Sequence, residues 1–164
     1  MKSKASATAM SKEWLTDLGY IVGGTEQTIR IPSKTKPGQW EMFKRDLFNF
    51  ADLTCVNASK PGTLYVQSTI GMNNKPERMQ KILAIPAVLA VLKSGNQIEL
   101  HVWRKLKGSG RVRWELARYT LKRLGDTDAM AWYDEQQALL LSELQAAAPL
   151  FSTSTIGQQV VEDF

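Results

Sequence analysis

Apolar residues along the chain switch repeatedly between helical and alternating spacing, which predicts a protein of the α/β class. Helical spacing starts after a small, polar segment over residues 1–10 that we expect to be flexible. The pattern first predicts a helix capped by Ser11 and ended by Gly19, then extended segments over 20–22 and 25–31 and a loop over 32–38. Next it predicts a strand in the second half of 43–56, a strand over 63–70, a helix capped by Asn74 and a short helix from Pro86 to Lys93. Strands over 98–105 and 111–119 and a helix over 127–148 follow. This order implies an α/β sandwich around a mixed sheet.

The turn at 60–62 should join two of these strands into an antiparallel hairpin. Asp52 stands near the start of one arm and Gln67 toward the end of the other, so we expect their side chains at the same end of the sheet. Carboxylate, carboxamide and backbone carbonyl oxygens suit Mg²⁺ or Mn²⁺. Water bound to such an ion can become a nucleophile toward a phosphodiester.

Composition excludes several other classes of protein. With 164 residues the chain has the length of one ordinary domain, and its longest apolar stretch, over 82–92, is too short for a membrane helix of ~20 residues. A single cysteine excludes an internal disulfide, so we expect a reducing, cytoplasmic setting. One histidine and one cysteine cannot build a zinc cluster, and the chain contains no GxGxxG glycine loop.

Charge is distributed unevenly along the chain. All 21 Lys and Arg residues lie within residues 1–123 together with 9 of the 16 acids, whereas the last 41 residues carry acids only. A basic body concentrates polyanions and suits phosphate contacts, either with nucleic acid or with an anionic membrane surface. The simpler alternative is a solvated basic surface with an acidic helix packed across it.

Several segments resemble a known nuclease family. The resemblance rests on Leu18-Gly19-Tyr20 at a helix end, Asp46, Phe50-Ala51-Asp52-Leu53, Val66-Gln67-Ser68-Thr69, and the later Val102-Trp103-Arg104-Lys105. Over about residues 11–105 these segments are similar to the core of PD-(D/E)XK nucleases, in particular the archaeal-type Holliday junction resolvases and their phage relatives. The resemblance implies a restriction-endonuclease-like sandwich, with a central mixed β-sheet flanked by helices. The nuclease-like core would span 11–123, and an acidic helix and tail would span 124–164.

The resemblance assigns roles to four neighbouring residues. It implies that Asp52 binds the metal, that Gln67 occupies the (D/E) position, that Thr69 occupies the Lys position, and that the Ser68 carbonyl is a third ligand. Gln67 is neutral, so it cannot help to cancel the charge of the ion. Thr69 cannot supply the ammonium group that normally polarises the attacking water or the phosphate.

Other charged residues are candidates to supply what these positions lack. Lys81, on the helix that follows the second strand, is the preferred replacement for the missing lysine, with Lys44 and Lys75 as further candidates. Either Lys81 or Arg78 would stabilise the charge that develops on the phosphate. Asp46 and Glu26 could restore negative charge near the ion, and Glu13 is a weaker candidate for the same role.

The resemblance implies a Mg²⁺- or Mn²⁺-dependent DNA endonuclease of a phage or mobile element, acting as a homodimer on branched or double-stranded DNA, without a membrane partner. Basic side chains would hold backbone phosphates, which positions DNA without reading its sequence. These are Lys34, Lys36, Lys44, Arg45, Lys75, Arg78, Arg104, Lys105, Lys107, Arg111 and Arg113.

Structural alternatives stay open for the central residues. Asp52 could cap its strand or pair with Lys44 or Arg45, Gln67 could be a satisfied buried amide, and Lys81 could lie on a solvated helix face. His101 is more typical of a structural role. For the whole protein the alternatives are a catalytically degenerate nucleic-acid-binding protein with the same fold, or an interaction module whose acidic helix over 127–148 binds a partner.

Overall fold

The structure is a computed structural model that describes residues 6–108, 110 and 112–147. Its helices and strands are α1 (Ala7–Asp17), β1 (Ile21–Gly24), β2 (Gln27–Pro32), β3 (Trp40–Arg45), β4 (Leu53–Val56), β5 (Leu64–Ile70), α2 (Lys75–Leu83), α3 (Pro86–Lys93), β6 (Gln97–Leu106), β7 (Arg113–Arg123), β8 (Met130–Asp134) and α4 (Glu135–Ala147). A short 3₁₀ turn, Met72–Asn74, precedes α2.

Six of the strands form a mixed sheet in the order β1-β4-β5-β6-β7-β8. Strands β5 and β6 are parallel, and every other neighbouring pair in this sheet is antiparallel. The crossover between β5 and β6 carries α2 and α3, as a parallel connection requires. Strands β2 and β3 form a separate antiparallel ribbon. The predicted α/β class and the mixed sheet flanked by helices are therefore confirmed.

Helices cover both faces of the sheet. Alternate residues of β5 point to opposite faces, and Val66 packs with Leu15 of α1 and with Leu53 of β4. On the other face, Ile98 of β6 packs with Ile82 of α2, in a cluster that also contains residues of α3. Strands β5 and β6 are accordingly buried on both sides, as is typical of central strands, and polar residues such as Gln67, Glu99 and His101 are buried among their apolar ones.

The turns that precede β5 and β6 pack tightly against each other. Gly62 has φ +76°, a conformation that side chains disfavour, and a Cβ atom there would overlap the carbonyl oxygen of Gly95. The close approach brings the first residues of the two parallel strands side by side, and Gln97 N–H donates to Thr63 O over 2.9 Å.

The first helix begins earlier than the sequence pattern predicted. Ser6 caps it by accepting a hydrogen bond from Ala9 N, whereas Ser11 lies inside the helix and is fully buried. Asn74 occupies the N-cap position of α2 as predicted, but its side-chain amide donates to Ile70 O and makes no capping hydrogen bond. Ser11 was misassigned because serine suits both a cap and a small buried helical position, and only the rest of the fold distinguishes the two.

The predicted single helix over 127–148 is wrong. Its first part is strand β8, in which Met130 and Trp132 alternate and pack against the core, and the strand pairs with β7. The helix starts only at Glu135, where the Asp134 carboxylate accepts hydrogen bonds from Gln136 N and Gln137 N. The prediction of a flexible segment over 1–10 is wrong for residues 7–10, which belong to α1. Residues 1–5, Arg111 and the tail predicted from Pro149 lie outside the described residues.

Within the described part of the chain, helices are too short or too polar to cross a lipid bilayer.

Candidate metal and nucleic-acid site

The candidate site lies where β4 and β5 separate. Their pairing ends with Leu53 opposite Val66. Asp52 immediately precedes Leu53, and its backbone N–H still donates to Val66 O over 2.9 Å. Register then places Asp52 opposite Gln67, on the face of the sheet covered by α2 and α3. The prediction that these two side chains meet at one end of the sheet is confirmed.

Asp52 is held by two donors from β5. Its Oδ2 atom accepts hydrogen bonds from Ser68 N at 2.7 Å and from Gln67 Nε2 at 2.9 Å. The same Gln67 nitrogen lies 3.5 Å from the Ser68 carbonyl oxygen. Gln67 Nε2 therefore stands between a carboxylate oxygen and a carbonyl oxygen, which are the two atoms that the nuclease resemblance implies as metal ligands.

The other end of the Gln67 amide has no partner. Gln67 is only 3% exposed, and its Oε1 atom is buried without a hydrogen bond in the described structure. Leaving a buried carbonyl unsatisfied costs about 1–3 kcal/mol. Half a turn of the amide group would direct Oε1 at the oxygens of Asp52 and Ser68, which is unfavourable unless a cation lies among them. The residues present therefore fit a divalent cation that prefers oxygen ligands.

Burial raises the pKa of Asp52 to about 6. The hydrogen bond from Ser68 N–H and the positive charge of Arg78 lower this pKa, whereas the negative charges of Asp46 and Glu26 raise it. Asp46 and Glu26, the predicted sources of additional negative charge, thus lie close enough to act on Asp52. The cation that acts on it is Arg78.

The candidate replacements for the missing lysine lie in different surroundings. Lys81 is exposed near the end of α2. Lys75 has its ammonium 4.5 Å from the centre of the Tyr119 ring, on the same face of the sheet as Asp52. Lys44 forms an ion pair with Glu26. Thr69, at the position of the missing lysine, is buried two residues after Gln67 and points to the same face.

A pocket of about 570 Å³ adjoins the site. It lies between the base of the β2–β3 ribbon, the turn over 46–49 and the first residues of α3, and Arg45 and Asp46 are among its lining residues. Thr25, on its other wall, donates from its backbone N–H to Asp52 O over 3.0 Å. The pocket is therefore linked to the backbone of Asp52 through Thr25, while Asp52, Gln67 and Ser68 do not line it. Arg45 and Asp46 offer a cation and a carboxylate to a ligand.

The remaining predicted phosphate-binding residues are spread over the surface. Arg104 forms an ion pair with Glu115 across β6 and β7. Exposed basic residues that belong to the ribbon loop or to the ends of β6 and β7 are Lys34, Lys36, Lys105, Lys107 and Arg113. They do not converge on Asp52 in the way that Arg78 does.

Carboxylates do not cluster tightly enough in the described residues to form a metal site by themselves, since no group of three His, Cys, Asp or Glu side chains there is placed to hold an ion. Any ion at Asp52 would therefore depend on the amide and carbonyl oxygens of β5. Such a site leaves several positions of the ion to water and to phosphate, which is typical of Mg²⁺.

A buried polar network that sequence reasoning missed lies on the opposite face of the sheet. His101 Nε2 lies 2.9 Å from Glu99 Oε2, and His101 Nδ1 lies 3.0 Å from Ser11 Oγ. Ser11 also accepts from Trp103 Nε1 over 2.8 Å and lies 3.0 Å from Ser68 Oγ. Burial lowers the pKa of His101, which favours the neutral ring. Burial raises the pKa of Glu99, but the hydrogen bond with His101 and the charge of Arg118, whose Nη1 lies 3.5 Å from Glu99 Oε1, hold it below its ordinary value.

This network resembles an acid, imidazole and hydroxyl arrangement, but it holds the fold together. Ser11 and His101 are both 0% exposed, so a substrate cannot reach the hydroxyl. Its bonds tie α1 to β5 and β6. The signal in the sequence was that Ser11 lies one helical turn before the core residue Leu15, which places both on the same face of α1.

Comparison with protein-family models, curated proteins and solved structures found no match. The resemblance to PD-(D/E)XK nucleases therefore stays a prediction, and the geometry around Asp52 is the basis for a proposal about function.

Proposed function

We propose that this protein is a divalent-metal-dependent nuclease that hydrolyses phosphodiester bonds in DNA, on a restriction-endonuclease-like core. One observation carries the proposal. The carboxylate of Asp52 and the carbonyl of Ser68 both lie within 3.5 Å of the Gln67 amide nitrogen at the point where β4 and β5 separate, and the amide oxygen of the same side chain is buried without a partner.

Asp52, Gln67 and the Ser68 carbonyl would hold the ion, and Mg²⁺ or Mn²⁺ bound there would lower the pKa of a coordinated water and neutralise phosphate charge. Asp52 carries its negative charge above about pH 6, so the site is ready for a cation at neutral pH. Asp46 and Glu26 add negative potential. Arg78 is the cation placed to stabilise charge on a phosphate bound beside Asp52.

The basic surface supports double-stranded or branched DNA as the substrate. Exposed lysines and arginines surround the β2–β3 ribbon and the ends of β6 and β7, where they suit contacts to backbone phosphates. Cutting both strands of a symmetric substrate would require two active sites, so a homodimer belongs to this proposal.

Cleavage of supercoiled plasmid and of a four-way branched oligonucleotide tests the proposal. The purified protein should cut in Mg²⁺ or Mn²⁺ and be inactive in EDTA, and Asp52→Asn should lower the rate by at least about 100-fold. Asp17→Asn is the matched control, because Asp17 is an exposed aspartate on α1. Absence of metal-dependent cleavage by the wild type would contradict the proposal.

Gln67→Glu provides an independent test of the ion. Without metal, a second carboxylate beside Asp52, where Gln67 Nε2 now lies 2.9 Å from Asp52 Oδ2, should destabilise the fold. Divalent cation should restore the stability of this variant and bind it more tightly than the wild type, because two carboxylates cancel more of the charge of the ion. A destabilised variant that does not respond to Mg²⁺ or Mn²⁺ would count against a metal site.

A second candidate function is nucleic-acid binding without hydrolysis. It is favoured by the hydrogen bond from Gln67 Nε2 to Asp52, which satisfies the carboxylate without an ion, and by the uncharged, buried Thr69 at the lysine position. Retention of DNA binding by a wild type that does not cut in either metal would make this the better description.

A further inference from the structure

The β2–β3 ribbon exposes large apolar side chains. It lies outside the six-stranded sheet, and every residue of both its strands is exposed. Trp40 is 66% exposed, Met42 62% and Phe43 48%. Apolar side chains exposed together in this way are typical of binding surfaces.

The two faces of the ribbon differ in charge. Directly paired residues share a face, and the pairs Thr28 with Lys44, Arg30 with Met42 and Pro32 with Trp40 therefore form one surface, which we name the Trp40 face. It combines a tryptophan and a methionine with the cations Arg30 and Lys44. Glu26 and Asp46 flank the strands at the base of this face, where Lys44 forms an exposed ion pair with Glu26 that a phosphate can replace. The opposite face has Ile29, Ile31 and Phe43 together with one acid, Glu41, and one cation, Arg45, so its charges balance.

The ribbon starts at the candidate metal site. Thr25, two residues before β2, donates from its backbone N–H to Asp52 O over 3.0 Å, so the base of the ribbon lies beside Asp52. Six residues of strand extend about 20 Å from there. The loop at the far end carries the exposed lysines Lys34 and Lys36. A polyanion that enters the site along the ribbon therefore meets cations at the tip and along the Trp40 face.

We propose that the Trp40 face binds a single-stranded segment of nucleic acid, with an unpaired base stacked on Trp40 and backbone phosphates held by Arg30 and Lys44. Every base has an aromatic face that can stack on an indole, whereas the bases of an intact duplex are already stacked on each other. Trp40 lies nearest the tip of this face, and Arg30 and Lys44 follow toward its base, so a strand with a base stacked on Trp40 can run its backbone phosphates along the two cations. The choice of nucleic acid as the partner rests on the proposed function.

Binding in EDTA tests this inference without any need for cleavage. Fluorescence anisotropy would follow labelled DNA and RNA strands of about 20 nucleotides and a blunt DNA duplex. We expect Trp40→Ala to weaken binding of a single strand by about 10- to 100-fold, and to change duplex binding much less. Trp40→Phe should recover most of the affinity. Phe43→Ala, on the opposite face of the same ribbon, is the matched control and should change single-strand affinity by less than about threefold. Comparison of the DNA and RNA strands identifies which of the two nucleic acids is bound more tightly.

Three results would overturn the inference. One is equal single-strand affinity of the wild type and Trp40→Ala, and another is an equal loss in Phe43→Ala. The third is a wild-type dimer that Trp40→Ala dissociates in sedimentation velocity while single-strand affinity is unchanged, because a second copy of the chain would then occupy the face. Trp40 is exposed, so its variant should unfold at the same urea concentration as the wild type, which separates a binding defect from misfolding.

The ribbon and the metal site can fail separately. Trp40-dependent binding by a protein that never cleaves would leave the ribbon assignment intact and contradict the proposed hydrolysis. Metal-dependent cleavage by a protein whose single-strand binding does not depend on Trp40 would support the proposed hydrolysis and contradict the ribbon assignment.

Discussion

Replacement of Asp52 by Asn should stabilise the metal-free protein at neutral pH. Burial raises the pKa of Asp52 from its ordinary 3.8 to about 6, so the folded protein retains a proton there that the unfolded chain has already released. Between these two pH values the folded state binds more protons, and the free energy of unfolding therefore falls as the pH rises. Asn is uncharged throughout, so the variant avoids this loss.

The size of the effect follows from the two pKa values. The interval between 3.8 and about 6 corresponds to about 3 kcal/mol at pH values above both. Ser68 N and Gln67 Nε2 both donate to the same carboxylate oxygen, so the single amide oxygen of Asn can still accept both bonds, although more weakly. We therefore expect a net gain of about 1–2 kcal/mol at about pH 7.5, and almost none at about pH 4.

Urea unfolding in EDTA across this pH range measures the difference. Asp17→Asn should follow the wild type, because Asp17 is exposed. Added Mn²⁺ should then stabilise the wild type more than the Asp52 variant, since only the wild type offers the carboxylate. A variant less stable than the wild type at about pH 7.5, or a stability difference that is the same at both ends of the range, would refute the reasoning.

Two further predictions concern the stability of the fold. Ser11→Ala removes the partner of the buried Trp103 Nε1 and His101 Nδ1 atoms, so we expect a loss of about 2–3 kcal/mol in urea unfolding; a loss below about 0.5 kcal/mol would show that water replaces the hydroxyl. Gly62→Ala combines a positive φ with a backbone overlap and should cost at least about 3 kcal/mol, whereas Gly38→Ala, with φ +83° and open space around it, should cost about 1 kcal/mol. Equal losses at the two glycines would contradict the packing of the turns described above.

Local patterns in the sequence were enough to predict the hairpin that carries the candidate site. A turn sequence between two β-forming runs fixes which strands pair, and the alternation of side chains then places Asp52 and Gln67 on one face. Helix α3 begins at Pro86 and ends at Lys93 as predicted, because proline and the glycine that follows act locally at helix ends.

Features decided by distant contacts could not be predicted in the same way. Strand β8 lies at the edge of the sheet and is specified by its pairing with β7, while its own sequence also suits a helix. The buried position of Ser11 depends on Trp103 and His101, which are far away in the chain. The influence of Arg78 on Asp52, where Lys81 was preferred, depends on how α2 crosses the sheet.

Anomalous X-ray diffraction from crystals soaked in Mn²⁺ would locate the ion on which the proposed chemistry depends. We expect an anomalous peak in contact with the Asp52 carboxylate, with the Gln67 amide turned so that its oxygen replaces the nitrogen that now donates to Asp52. A Gln67 nitrogen that still donates to Asp52 at saturating Mn²⁺, with the ion bound elsewhere or not at all, would show that this is not a metal site.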